Sequence, residues 1–172
     1  FSREGQEVLA CPSWFGGKDW EAGAYSPVTK LMYFPLRNAC ARMMPSLETG
    51  GRLYALAKRD QIAPGTEQVG TVQAISVETG EIVWVYEQRA GTTSLVATGG
   101  GLIFGGDGNG RFRAFDQESG NVLWEINLGS MVTGFPITYA VDGKQYIAAS
   151  TGSSLSSQDN MRLTPELRPS RG

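Results

Sequence analysis

From Gly101 to Leu128 the chain reads GLIFGGDGNGRFRAFDQESGNVLWEINL, three short apolar segments set apart by two runs of turn residues. Leu102-Ile103-Phe104 is an apolar run that the pattern ends at Gly105-Gly106. Asp107-Gly108-Asn109-Gly110 is turn chemistry, because Gly and Asn accept the positive φ that tight hairpins require. Arg111 to Asp116 alternates, predicting a strand with one buried and one partly wet face. Gln117-Glu118-Ser119-Gly120 turns again, and Val122-Leu123-Trp124 begins the next strand. The same frame occurs upstream in Ala74-Ile75-Ser76-Val77-Glu78-Thr79-Gly80-Glu81-Ile82-Val83-Trp84. Both copies read Ala-x5-Gly-x3-Trp, offset by about 40 residues, the period of a propeller blade.

The flanking pattern extends this all-β reading. Ala24-Tyr25-Ser26-Pro27 and Leu31-Met32-Tyr33-Phe34 predict two strands about a Val28-Thr29-Lys30 turn, and Gly70 to Ala74 leads into the first repeat. Thr133 to Tyr139 and Gln145 to Ser150 predict a hairpin about Val141-Asp142-Gly143-Lys144. Arg52 to Lys58 reads as a strand or a short helix, and Arg59 to Thr66, with Pro64-Gly65, as a loop. The polar stretch Leu163 to Gly172 carries no strand pattern. Residues 1–172 thus read as a partial propeller domain of three to four blades, incomplete at both ends, cut from the interior of a longer protein; a closed ring of such blades needs about 160 to 350 residues.

Composition narrows the function. Lys plus Arg number 15 and Asp plus Glu 17, so the net charge of −2 gives no reason to expect nucleic acid or an anionic membrane. No apolar run approaches the ~18 residues of a membrane span, and Phe1-Ser2-Arg3-Glu4 shows no targeting pattern. The chain holds no histidine. Serine–histidine and cysteine–histidine catalysis, histidine metal sites and covalent c-type haem attachment are therefore absent from it, and its chemistry rests on carboxylates, lysine or a bound cofactor.

The unusual residues gather early. Cys11-Pro12-Ser13-Trp14-Phe15-Gly16-Gly17-Lys18-Asp19-Trp20 is a loop with two glycines, a lysine, a carboxylate and aromatic rings, a set able to meet a planar polar ligand. The plainer reading is tryptophans folded onto the rim. Trp84 and Trp124 read as core docking residues, each indole seated on a turn glycine of its own or the adjacent blade. Cys11 and Cys40 are either a bridge, worth about 3 to 4 kcal/mol in an oxidising compartment, or two buried thiols. Their spacing does not decide.

AISVETGEIVW and AFDQESGNVLW resemble the tryptophan-docking motifs of pyrroloquinoline quinone-dependent alcohol dehydrogenases. The similarity continues through CPSWFGGKDWEAGAYSP, GSMVTGFPITYAVDGKQYIAASTG and TPELRPSRG, in the order of the C-terminal part of such enzymes. It implies part of an eight-bladed β-propeller. Asp19 (asparagine in methanol dehydrogenases) and Trp20 then fall beside the quinone, and Lys18 of the same loop is expected with them among the cofactor-binding residues. Phe104 matches a position approaching the cofactor, and Thr151-Gly152-Ser153-Ser154 lies where the family closes the site. Cys11 and Cys40 match a family disulfide, implying a periplasmic protein.

The resemblance further implies oxidation of an alcohol to an aldehyde or ketone, by hydride transfer to the quinone with a carboxylate base and Ca²⁺ or a similar metal as Lewis acid. Electrons would pass to a cytochrome c, with homo-oligomerisation of the parent left open. The catalytic base and metal ligands belong to sequence upstream, so no catalytic or metal residue is assigned here. A non-catalytic propeller of the outer-membrane assembly type carries similar repeats; the Cys11–Trp20 segment favours the enzyme.

Overall fold

Residues in the left-handed region mark where the chain reverses: Gly80, Gly110, Gly120 and the pair Asp142 (φ 50°) and Gly143 (φ 76°). Between them, the computed structural model, which describes residues 5–44, 59–152 and 161–167, is built of strands apart from one helical turn over 161–163. In chain order these are β1 (Val8–Ala10), β2 (Ala24–Ser26), β3 (Leu31–Arg37), β4 (Ala39–Met43), β5 (Arg59–Ile62), β6 (Gly70–Ser76) and β7 (Ile82–Gln88). There follow β8 (Thr92–Ala97), β9 (Leu102–Asp107), β10 (Arg111–Asp116), β11 (Val122–Asn127), β12 (Val132–Val141) and β13 (Lys144–Thr151).

Two four-stranded antiparallel sheets result, β2-β3-β6-β7 and β8-β9-β10-β11, each a blade. The β12–β13 hairpin turns on Asp142-Gly143, two successive positive-φ residues whose twist matches the strands they join. The chain leaves the first blade after β3 to form the β4–β5 hairpin, to which β1 adds, and returns at β6.

The repeat explains how the blades adhere. In each copy the residue two past the alanine caps the turn: Ser76 Oγ accepts from the Thr79 N–H (3.2 Å), and Asp116 Oδ1 from the Ser119 N–H (2.8 Å). The second turn then seats the first blade's tryptophan. A Cβ on Gly120 would lie 2.6 Å from the Trp84 ring, so only glycine admits that indole. The Trp84 indole N–H and the Tyr33 hydroxyl both donate to the Gln117 carbonyl, each at 3.0 Å. Leu31, Tyr33, Val72 and Trp84 of the first blade thereby share one core with Leu95, Ile103 and Phe115 of the second.

Several expectations are corrected. Trp84 is 8% exposed and docked in the inter-blade core, whereas Trp124 is 45% exposed in this chain, where the expectation was burial of both. Docking joins one blade to the next, and the seat of Trp84 is the turn glycine Gly120 of the second blade. The apolar run at Leu102 does not end at Gly105-Gly106; β9 continues through both. Their missing side chains admit Leu95 and Val132, which a Cβ would meet at 2.4 Å.

Arg113 does not sit on a wet face. It is buried, its guanidinium donating to Asp107 Oδ2 (2.7 Å), Gln88 Oε1 (2.8 Å) and Glu125 Oε2 (2.6 Å), which links both blades. Burial pulls its pKa down, but the hydrogen bond and charge of Asp107 more than offset this and hold it above the ordinary arginine value. Arg59–Ile62 is a strand paired with β4 where a loop was expected, and β8, which had no predicted counterpart, completes the second blade. Arg52 to Lys58 lies outside the described residues.

Candidate functional site

Residues 11–23 leave β1 and re-enter the first blade at β2, and the loop is tied down along its length. A disulfide joins Cys11 to Cys40 of β4. Two residues on, the Ser13 N–H donates to the Ala39 carbonyl (2.8 Å), and the Arg37 N–H donates to the Gly17 carbonyl (2.7 Å). Beyond, the Ala22 N–H donates to Ser94 Oγ (3.0 Å) while its carbonyl accepts from the Leu95 N–H (2.9 Å), tying the loop to β8. Gly23 then passes so close to β3 that a Cβ would stand 2.7 Å from the Tyr33 carbonyl.

Between the loop and the two blades lies a shallow cleft. Phe15, Gly16, Gly17, Asp19 and Glu21 form its loop side; Pro35, Leu36 and Arg37 of β3 and Gly91 and Thr92 at the head of β8 form the other. The Arg37 guanidinium lies 5.4 Å from the centre of the Phe15 ring and 3.6 Å from Asp60 Oδ2, so its charge is balanced within the wall. The Thr92 hydroxyl donates to the Leu36 carbonyl (3.1 Å), closing the floor. The free space, about 20 Å³, suits a single water.

The site residues expected from sequence separate into three settings. Asp19 lines the cleft. Trp20, beside it, is 74% exposed, the most exposed indole among the described residues. Lys18 is turned onto its own loop, the ammonium donating to the carbonyls of Asp19 (2.8 Å) and Glu21 (2.6 Å). Phe104 is half-buried in the second blade, stacked on Phe112 with centroids 6.1 Å apart, and does not line the cleft. Ser153 and Ser154 lie outside the described residues, whereas the Gly152 N–H donates to the Met131 carbonyl.

Glu21, Arg37 and Thr92 of the cleft carried no sequence signal. Arg37 and Thr92 are more than fifty positions apart in the chain and meet only through the pairing of the blades, and no motif marks either. The arrangement fits one face of a planar, polar group. The open indole of Trp20 offers apolar contact area and the adjoining carboxylate a hydrogen-bond acceptor, while a water-sized cleft cannot enclose a fused ring system. Among the described residues no cluster of three or more His, Cys, Asp or Glu is arranged to hold a metal ion, and no helix is long and apolar enough to cross a membrane.

Comparison with known proteins agrees on one family. The family model described as "PQQ: Glucose/ethanol/alcohol dehydrogenase, beta-propeller domain" matches residues 88–147. The chain is 33% identical over 153 residues to the quinoprotein alcohol dehydrogenase PedE of Pseudomonas putida, covering 87% of this chain and 24% of that protein. It is 35% identical over 149 residues to the lanthanide-dependent methanol dehydrogenase of Methylacidiphilum fumariolicum, covering 83% of this chain and 24% of the relative. Among solved structures, a europium-containing methanol dehydrogenase superposes with a TM-score of 0.80 at 30% identity, covering 96% of this chain and 30% of that one. The chain spans about a quarter of the length of the curated relatives it matches.

Proposed function

The chain belongs to the pyrroloquinoline quinone-dependent alcohol dehydrogenase family, and from that premise we propose that it forms one wall of the quinone site in a longer enzyme that oxidises alcohols. The observation that carries this reading is the pairing of Asp19 in the cleft with the open indole of Trp20 beside it. When bound, the quinone supplies a two-electron acceptor and Ca²⁺ or a lanthanide-type ion supplies Lewis acidity; both are assigned to the parent.

The chain's own residues bind and orient. Trp20 offers its face to the ring system, and Asp19 accepts a hydrogen bond from the ring's N–H edge. The disulfide and the Ser13, Gly17 and Ala22 hydrogen bonds hold that pair against the blades. Phe104 is assigned to the same wall on the family resemblance alone. The substrate is an alcohol, the product an aldehyde or ketone, and the onward acceptor a cytochrome c. A closed eight-bladed ring and a periplasmic setting complete the reading, the latter supported by the disulfide, which persists in oxidising compartments.

The deciding experiment is reconstitution of the full-length parent with quinone and with Ca²⁺ or a lanthanide, followed by a dye-linked alcohol oxidation assay. Activity that depends on both additions is the expected result. A parent that binds no quinone under either metal would instead be a non-catalytic propeller scaffold.

A further inference from the structure

We infer that Lys18 is a positioning residue, whose ammonium sets the direction in which Trp20 is presented, rather than a direct ligand of the cofactor. This rests on the quinone-side reading of the loop. The loop is stitched to β3 through Gly17 and to β8 through Ala22. Residues 18–21 span the gap between those stitches, and Trp20 stands within it. Lys18 Nζ donates to the carbonyl of Asp19, just before Trp20, and to that of Glu21, just after it. One cation thus holds the carbonyls of the two residues that bracket a single exposed indole.

Chemistry explains why a lysine serves. An ammonium has three donors in a compact head and no acceptor, so it can bridge two carbonyls that lie two residues apart. Tying the carbonyls of residues 19 and 21 to one ammonium restrains the backbone torsions about Trp20, and with them the direction of its Cα–Cβ bond. An indole fixed in this way loses less freedom when a ring system settles on it, and preorganisation of that kind lowers the cost of binding. The same bonds commit the ammonium to the loop's own backbone and away from the role of a ligand to the quinone's carboxylates.

The test uses the full-length apo parent, titrated with pyrroloquinoline quinone and followed by quenching of tryptophan fluorescence, with a thermal melt of each variant. Lys18→Met should weaken quinone binding by about three- to tenfold, the worth of an ordinary net hydrogen bond or two, with the melting temperature unchanged. Lys18→Arg, which can still donate to both carbonyls, should recover most of the loss. Trp20→Ala should weaken binding too, and adding Lys18→Met to it should cost nothing more, because the clip then has no indole to aim. If Lys18→Met leaves binding intact, or adds its full penalty in the Trp20→Ala background, Lys18 does not act through Trp20. If Trp20→Ala itself binds quinone like the parent, the quinone-side reading of the loop fails instead.

Discussion

Asp19 and Trp20 divide the work at one point of the loop, and the two side chains lose different things when truncated. Asp19→Ala in the full-length parent removes a charged acceptor and should lower quinone affinity about ten- to hundredfold, the equivalent of roughly 1.5 to 3 kcal/mol. Neither it nor Trp20→Ala should shift the melting temperature by much, because both side chains stand outside the inter-blade core. Quinone titration alongside a melt separates the effects, and a large drop in melting temperature would make the loop a structural element. Tyr33 is the opposite case, fully buried and donating to the Gln117 carbonyl. Burial raises its pKa above the ordinary phenol value; the Thr29 hydrogen bond opposes this and the charges of Asp116 and Glu118 add to it. The folded protein therefore keeps a proton that the unfolded chain gives up. The resulting stability is complete below about pH 10 and is lost as pH rises through the higher folded value. Tyr33→Phe should flatten the fall of melting temperature as pH rises above about 10; an unchanged slope would assign it to other groups.

Two elements decide whether the blades hold their places: the Trp84–Gly120 dock and the Cys11–Cys40 bridge. Trp84→Ala empties a seat in the shared core and should destabilise the parent by about 3 to 5 kcal/mol. Gly120→Ala drives a Cβ into the same ring and should cost about 1 to 3 kcal/mol. The two variants act on one contact, so their combination should fall short of the sum. Denaturation of the three variants checks this; strict additivity would separate the ring from the turn. The bridge acts on the loop, holding its start to β4 while the hydrogen bonds of Ser13, Gly17 and Ala22 hold the rest. Thiol titration of non-reduced, denatured protein should find no free thiol from this pair. Reduction should lower stability by about 3 to 4 kcal/mol, as loop closure of this size implies.

At the scale of the whole molecule, the apolar surface is unevenly placed. Every residue of β11 is exposed, Leu123 and Trp124 among them, and so are Phe135, Ile137 and Tyr139 of β12. β13 pairs only with β12 among the described residues. Surfaces of this kind, with an open sheet edge, invite pairing with further strands. Expressed alone, the 172-residue chain should therefore self-associate or melt broadly. Light scattering after size-exclusion chromatography is the check. A monomer with a sharp unfolding transition would mean that these faces need no cover.

What the sequence determined by itself was whatever depends on near neighbours. Alternation placed β10, and strand runs between turn residues placed β3, β6 and the β12–β13 hairpin. Asp142-Gly143 and the Ala-x5-Gly-x3-Trp frame marked the reversals, because a positive φ and a capping side chain act within a few residues. The family resemblance singled out Asp19 and Trp20 and paired the cysteines. The rest was decided across blades. β5 is short and Arg59-Asp60-Gln61 is polar, and β8 had no predicted counterpart; they are strands because an edge stood ready to pair with them. Gly105 and Gly106 read as a break, yet they extend β9 because Leu95 and Val132 fill the space that a side chain would take. The two repeat tryptophans are equivalent in sequence and opposite in burial, since the seat for Trp84 is a turn in the next blade. The cleft followed the same rule: Arg37 and Thr92 reach it only once β3 and β8 stand side by side, and contacts of that range leave no local pattern in a chain.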